Sequence, residues 1–532
     1  MFVVVFWRLG VPSFWDPDEA HYAETTSELI ATGDWWAPYY NEQPFFDKPI
    51  FFHQLQAVAM LVFGENELGA RVVPALAAVV LVLFTGWLGA KLISVDAGFI
   101  AALLLAANPG TFGLSRYAIL DTLFMAFLFA GVGLAAVAAL KDRPALQWPG
   151  YILIACAVMV KGPLALVLSG LALVLAIAIS AELRRRLLGL QWIGGLALAV
   201  AISSPWFIYM YLRFEDAFVA GYLLDENIRL FAADRFTGQP GYSFYFRILA
   251  TGMLPWTGIV IGRFIDDVRS AAKGHQLDGI EVLLWAWTIG VVGFFTLSRF
   301  KLDHYVFAAA PSLCLLCARA WVDLGAHPDS PANRGTRIGA WLVGPFLVLL
   351  GAAAGYFLLS QLNLPPATYV IPVAVTGAGL LTLAQTAARH GRPAPIPWLA
   401  IAALTAIYGG LVVFVMPALE RQKVIPDVAR WVAGRATPGA RVASYQLSRW
   451  NTAFRFYVDR HVTMLDDPAE MAAFFNDPEP FYVVMLQPGY EEFLSRGVPL
   501  KEVYAREGMW VTSGRALWRR APPPTRFVVV SR

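Results

Sequence analysis

The sequence predicts an all-α polytopic membrane protein with a small α/β domain at its C-terminal end. Three observations carry that prediction. Of 532 residues, 58% are hydrophobic and only 15% charged, with a mean hydropathy of +0.56. An average soluble domain is roughly 45–50% apolar and about 25% charged, so there is too little charge here to coat soluble domains of this total size. The apolar residues form continuous runs rather than alternating ones, which favours helical spans over a barrel. After Pro417 the charges return and short alternating segments replace the long runs. Disorder, collagen-like repeats and a soluble multidomain enzyme are excluded. The net charge of +3 gives no electrostatic footprint for nucleic acid.

The first apolar run, Met1 to Pro12, makes only about 18 Å of helix, roughly half a membrane. Either the first span is short or the true start lies upstream. Further runs fall near 69–93, 96–110, 117–140, 148–160, 163–182, 189–211, 243–262, 280–297, 303–322, 337–360, 367–388 and 396–417. About thirteen spans are therefore expected. The stretch 148–182 is too long for one span, and Lys161-Gly162-Pro163 divides it. The segment 96–110 is short and needs tilting or cover from neighbours.

Basic residues fix the expected orientation. With a cytoplasmic N-terminus, the inner turns hold Lys91, Lys141 and Arg143, Arg184-Arg185-Arg186, Arg263 with Arg269 and Lys273, Arg334 with Arg337, and Arg389 with Arg392. Every cytoplasmic turn is then basic, as the positive-inside rule asks. An odd span count places the C-terminus outside. Residues 1–418 form the transmembrane domain in this reading, with a long outer loop at 13–68, and residues 419–532 form an extracytoplasmic domain. Runs such as RVASYQ, FYVVML and RFVVVS alternate with IPDVARWVAG and PAEMAAFF, the pattern of a small α/β unit. Cys156, Cys314 and Cys317 sit inside apolar runs and read as packing residues.

The densest chemistry is in the first outer loop, from Asp16-Pro17-Asp18-Glu19 through His21-Tyr22-Ala23-Glu24. Asp16 or Pro17 opens a helix, with Asp18 and Glu19 in its first turn, where negative charge suits the dipole. The bland reading is an interfacial amphipathic helix with Leu29 and Ile30 facing lipid. Capping explains one acid, however, and not three acids with a histidine at the edge of a bilayer. Phe45-Phe46-Asp47-Lys48-Pro49 adds a lysine among aromatics, which in isolation reads as a snorkelling side chain. Asp121 opens an otherwise apolar span, where an ionisable residue marks a functional position by default.

Asp18-Glu19, Tyr22-Ala23-Glu24, Gly33-Asp34-Trp35, Phe46-Asp47-Lys48-Pro49 and Phe63-Gly64 through Arg71 stand in one ordered series. That series resembles the first outer loop of the bacterial aminoarabinose transferase and protein mannosyltransferase-like enzymes, membrane glycosyltransferases of the GT-C class. The resemblance continues at Ser115 to Asp121, Lys161-Gly162-Pro163, Pro205-Trp206, Asp225-Glu226-Asn227 and Ser298 to Tyr305. In the orientation derived from the basic residues, all of these motifs fall on the outer face.

The resemblance implies transfer of a sugar from a polyprenyl-phosphate carrier to a lipid (lipid A-like), an envelope glycan or a protein at the cytoplasmic membrane. A leaving phosphate gathers negative charge and needs cations, for which Lys48, Arg116, Lys161, Arg229 and Lys301 are the candidates. Asp47, Tyr22 and Tyr305 complete the expected binding set. Asp18, Asp121 and Glu19 are the expected catalytic acids. Asp18 is a general base if the acceptor is a hydroxyl, or positions the acceptor if it is a phosphate. His304 is expected to be structural. The family often has Glu at position 47 and a Glu-His pair near Asp225-Glu226. The departures here favour no required metal over a divalent ion held on Asp47 and Glu226. A polytopic transporter or flippase is the alternative reading. It needs ionisable groups spread through the midplane.

Overall fold

The computed structural model describes residues 1–233, 239–361, 366–447, 452–476, 479–509 and 525–531. The chain divides into two compact units. One comprises 1–7, 46–52 and 73–412; the other comprises 8–45, 53–72 and 413–532. The second unit therefore draws on the first loop as well as on the C-terminal residues.

The first unit is helical and built for a bilayer. Among the described residues, nine helices are long and apolar enough to cross a membrane, or eleven if two bent pairs each count as one. The protein is thus a multi-pass membrane protein, with fewer spans than the thirteen apolar runs suggest. The difference has identifiable causes. The first run forms only the five-residue π-helix Phe2–Phe6. The run at 163–182 makes the 16-residue helix Leu164–Ile179, shorter than a full span. The run at 96–110 bends by 58° between Val95–Ala106 and Pro109–Ser115. There Asn108 accepts a hydrogen bond from the Gly110 N–H at 2.8 Å, and Pro109 opens the new helix, so the bend is a capped break. The run at 243–262 breaks by 116° between Phe244–Gly252 and Thr257–Ala272. Hydropathy counts apolar residues, and a capped break inside a run is invisible to it.

Close helix packing rests on small residues. Gly258 and Gly262 face Gly339 and Gly335, and a Cβ at any of the four would meet backbone of the opposite helix. Two glycines four apart on each helix allow such an approach. Asp266 then accepts from the N–H groups of Gly335 and Thr336, each at 2.8 Å, which caps the helix Arg334–Gln361. Cys314 and Cys317 are fully buried within the helix Ala310–Ala326, as packing residues would be.

In the second unit, the short strands Tyr39–Tyr40 (β1) and Gln43–Pro44 (β2) pair as a hairpin. A separate five-stranded sheet comprises Arg441–Tyr445 (β3), Thr463–Leu465 (β4), Phe481–Leu486 (β5), Lys501–Gly508 (β6) and Thr525–Ser531 (β7). Their order is β4-β3-β5-β7-β6. The first three are parallel, and β7 runs antiparallel to both its neighbours. Helices Thr452–Val458, Pro468–Asn476 and Gln487–Ser495 separate the strands, so the expected α/β pattern is present. Val528 and Val530 lie in its core with Val483 and Met485, because central strands buried on both faces demand apolar residues throughout.

The helix Asp18–Thr32 belongs to this unit and is not a lipid-facing amphipathic strip. Leu29 is fully buried, as are Ala20 and Ala23, and so are the polar Glu19, Thr25 and Thr26. Its acids are anchored by two arginines. Arg71 grips Glu19 through two hydrogen bonds, at 2.5 and 2.9 Å. Arg455 meets Glu24 and Glu28, each at 3.0 Å. Just before this helix, Asp16 accepts from the Thr452 hydroxyl at 3.0 Å and the Ala453 N–H at 2.8 Å.

Burial raises the Asp16 carboxyl to about 7, although those hydrogen bonds and Lys423 favour its charged form. A carboxyl raised in the folded state adds stability below its unfolded value of about 4. That contribution is lost as pH climbs through the folded value. Asp16→Asn keeps an acceptor oxygen for both donors and removes the buried charge. Thermal unfolding of the detergent-solubilised protein should therefore show a shallower loss of stability between about pH 4 and 7. At pH 8 the variant should unfold at or above the parent midpoint.

Candidate functional site

Charged side chains from five stretches of the first unit gather in two groups. In the first, the Lys48 ammonium lies 2.6 Å from Asp47 and 3.5 Å from Glu226. In the second, Lys161 pairs with Asp121, whose other oxygen stands 3.6 Å from His304 Nε2. Tyr305 places its ring centroid 4.4 Å from the Lys161 ammonium, a cation–π contact. His304 Nδ1 is 3.4 Å from Asp303. The groups lie within electrostatic reach of one another, since the charge of Lys48 acts on Asp121 and Lys161, and that of Asp47 on Lys161.

Local structure explains the Lys161–Asp121 meeting. Asp121 opens the helix Asp121–Leu140 and Lys161 closes the helix Gln147–Lys161. Each charge suits the dipole end it occupies. A short connection through residues 141–146 folds the two helices back on each other, so the start of one meets the end of the next. Gly131 and Gly150 face each other at their contact, where a Cβ on Gly150 would stand 2.9 Å from the Gly131 carbonyl oxygen. Gly162, with φ +80°, then stops the second helix in a conformation that suits glycine, and Pro163 starts the next.

Lys48 sits outside the spans, in the segment before the helix Phe51–Phe63. Burial works against its charge, but Asp47 and Glu226 outweigh burial and hold its pKa above the ordinary lysine value. It is an ammonium at any physiological pH.

The other expected binding residues are placed differently. Arg116 is buried and donates to the carbonyl oxygens of Val5 at 3.2 Å and Trp7 at 2.8 Å, anchoring the N-terminal turn. Arg229 is 62% exposed and pairs along its own helix with Asp225 at 2.6 Å. Lys301 is buried and donates to the Ser298 carbonyl. Burial, helped by nearby Arg299, lowers its pKa. In the second unit, Glu19 is fully buried and bound to Arg71, and it also accepts the Trp15 N–H at 3.0 Å. Tyr22 lies against His21 and His53, with ring centroids 5.8 and 5.7 Å away. Asp18 is half-buried at the start of its helix.

Three residues have a larger part in the geometry than their sequence context suggested. Glu226, which the sequence offers only as a metal ligand, instead holds Lys48. His304, expected to be structural, faces Asp121. Tyr222 abuts Gly162, and no sequence signal separates it from the other aromatics of its segment.

Comparison with known proteins places this arrangement. Residues 1–219 match the dolichyl-phosphate-mannose-protein mannosyltransferase family. An undecaprenyl phosphate-α-4-amino-4-deoxy-L-arabinose arabinosyl transferase of Pseudomonas fluorescens is 30% identical over 436 residues, 77% of this chain and 71% of that one. The chain belongs to the aminoarabinose transferase family. A like-named relative from Aeromonas hydrophila is 28% identical over 367 residues, and the match spans 65% of that relative's length. The crystal structure of ArnT from Cupriavidus metallidurans bound to undecaprenyl phosphate superposes with a TM-score of 0.76 at 22% identity, covering 100% of this chain and 96% of that one. The chain therefore shares the fold of that transferase structure.

The buried ion pair has a measurable signature. The Lys161 and Asp121 side chains are 7% and 9% exposed, so removing either partner strands a charge in a dry site at a cost of about 3–5 kcal/mol. Asp121→Asn and Lys161→Met should each lower the unfolding midpoint sharply. The double variant should lose much less than the sum of the two. Additive losses would mean that the pair does not act as a unit.

Proposed function

We propose that the protein is an integral-membrane glycosyltransferase that moves a sugar from a polyprenyl-phosphate carrier to a lipid A-like lipid, an envelope glycan or a protein. The observation that carries this reading is the pair of ammonium groups, Lys48 and Lys161, held by carboxylates from separate stretches of one unit. In the transfer, an acceptor oxygen bonds to the anomeric carbon while the bond from that carbon to the carrier phosphate breaks. The bonding electrons leave with the phosphate. Cations at that oxygen stabilise the charge as it develops. Membership of the aminoarabinose transferase family and the 30% identical arabinosyl transferase support this reading.

Lys48 and Lys161 take the carrier phosphate in this proposal, with Tyr305 behind Lys161. Asp121 positions Lys161, and His304 steadies Asp121. Arg116 and Glu19 hold structure. Asp18 enters through the motif it heads, as the base for a hydroxyl acceptor or as a positioning group for a phosphate acceptor. No metal is required in this scheme. The Lys48 ammonium stands between Asp47 and Glu226, the two acids that a divalent ion would need.

The membrane is the cytoplasmic one, with the N-terminus inside and residues 419–532 outside as a separate domain. The basic turns support that orientation. The transporter reading loses ground because Asp121, Lys161 and His304 gather where helices begin or end and not through the middle of spans.

Three measurements test the proposal. Lys48→Ala should weaken binding of undecaprenyl phosphate by the loss of a charge-assisted partner worth about 1.5–3 kcal/mol, and wild-type affinity in that variant would remove Lys48 from the donor site. Asp18→Asn should slow sugar transfer to membrane extracts by about 10²–10⁴-fold if a hydroxyl is the acceptor, with a changed pH profile. A phosphate acceptor predicts a smaller, pH-insensitive loss. For orientation, a cysteine at position 48 should be labelled from the outside and one at Arg185 only after the membrane is opened; labelling of both from one side overturns the topology.

A further inference from the structure

Asp18 opens the helix Asp18–Thr32, and the residues that lead into it are held from the C-terminal part of the same unit. The Ser13 N–H donates to Glu420 at 3.2 Å, and the Ser13 carbonyl oxygen accepts from Lys423 at 2.8 Å. The Phe14 N–H donates to the Tyr457 hydroxyl at 2.8 Å. The Lys423 ammonium stands 3.8 Å from the centroid of the Trp15 ring. Thr452 and Ala453 donate to Asp16. Past Asp18, Arg455 meets Glu24 and Glu28. The helix Thr452–Val458 therefore touches the chain on both sides of Asp18.

Among these contacts the Thr452 hydroxyl has the most direct hold on the first turn. The residue is fully buried. Its hydroxyl lies 3.0 Å from an Asp16 carboxylate oxygen and 2.9 Å from the Pro17 carbonyl oxygen. A hydroxyl has one proton to give, so the two oxygens share it. Pro17 stands at the helix cap position and supplies no capping side chain, where Ser, Thr, Asp or Asn would fix the start locally. The Pro17 carbonyl also accepts the His21 N–H at 3.1 Å, the bond that begins the helix. Thr452 thus ties the acceptor of that first bond to the C-terminal segment. Leu29 and the later turns are held by burial. Asp18 sits ahead of them, half-buried, and the direction of its side chain follows from the turn that Pro17 begins.

We propose that Thr452 is a positioning residue for sugar transfer, fixing the first turn of this helix so that the Asp18 carboxylate meets the acceptor. A base works only within hydrogen-bond reach of the proton it takes, and small displacements of a reacting group lower the rate steeply. The C-terminal strands and helices then have a part in the reaction, through a hydroxyl 436 positions along the chain from Asp16. This inference rests on the role given to Asp18 in the preceding subsection.

The test uses the full-length detergent-solubilised protein, a panel of radiolabelled undecaprenyl-phosphate sugars and membrane extracts, at a temperature well below every unfolding midpoint. Thr452→Val keeps the shape of the side chain and loses the hydroxyl. It should lower kcat at least about ten-fold, since about 1 Å of misplacement can cost about 10²-fold, and leave the KM for the donor unchanged. Asp16→Ala removes the same bond from the other side and should show the same loss. Thr452→Ser, which keeps the hydroxyl, should restore the rate. In an Asp18→Asn background, Thr452→Val should cost nothing further, because it acts only through that carboxylate. Wild-type kcat in Thr452→Val, a loss that serine does not restore, or a full second loss in the double variant would each overturn the inference. The last result would show that the hydroxyl only holds the fold. If Asp18→Asn itself transfers at the wild-type rate, the role of Asp18 fails and this inference falls with it. If Asp18→Asn is impaired and Thr452→Val is not, the role of Asp18 stands and Thr452 alone is excluded. A wild-type protein that transfers label from none of the panel overturns the proposed function and this inference together.

Discussion

The ion pair between Lys161 and Asp121 is the constraint around which the membrane unit is arranged. An ammonium left alone in that buried place would cost about 3–5 kcal/mol, so a carboxylate is held against it. Holding it there fixes the two helices end to start, and that contact in turn demands small residues where they cross. His304 and Tyr305 then approach from a third helix, one facing the acid and the other the base. Once these groups are fixed, the site has a rigid cation whose position does not depend on a mobile loop, as electrostatic stabilisation of a leaving phosphate requires.

Lys48 is held by a different device. Its carboxylates come from its own neighbour and from a π-helical segment far along the chain. In the proposed donor site an incoming phosphate competes with two acids for one ammonium, so binding there is an exchange of anionic partners and not the filling of an unpaired charge. Exchange leaves the resting site without a stranded cation and still provides one when substrate arrives. Under the proposed function the two lysines serve one end of the chemistry by different means, Lys161 through rigidity and Lys48 through replaceable partners.

The second unit shows how far charge alone misleads. The acid-rich start of the first loop offers Asp18 and Glu19 as catalytic acids, yet Glu19, like Glu24 and Glu28, is spent on an arginine, Arg71 or Arg455. Buried acids paired with arginine are structural until a ligand is shown to need them, and an ion pair of this kind is weak evidence for a chemical role. Asp18 is the acid of that run that is half-buried at its helix start, and its role comes from family resemblance. Arg116 teaches the same lesson, since a cation in a family motif here ties down the chain's own N-terminal turn.

Composition and the ordered motifs of the first loop determined the membrane class, the α/β character of the C-terminal segment and the family, because apolar run length and residue order are local properties. Asp121 stood out in the sequence because an ionisable group opens an apolar span, whereas Asp47, Lys48, Lys161 and Tyr305 were expected from the family resemblance, and the structure gathers them. Tertiary structure alone decided the rest. Among the described residues it lowered the span count through bends and short helices that hydropathy averages away, turned Arg116 and Glu19 into anchors, and brought Glu226 to Lys48, His304 to Asp121 and Tyr222 to Gly162. Those outcomes depend on which helix ends meet, and pairing between ends separated by tens to hundreds of residues is set by packing and by the cost of an unpartnered buried charge. Neither is written at any single position of the chain.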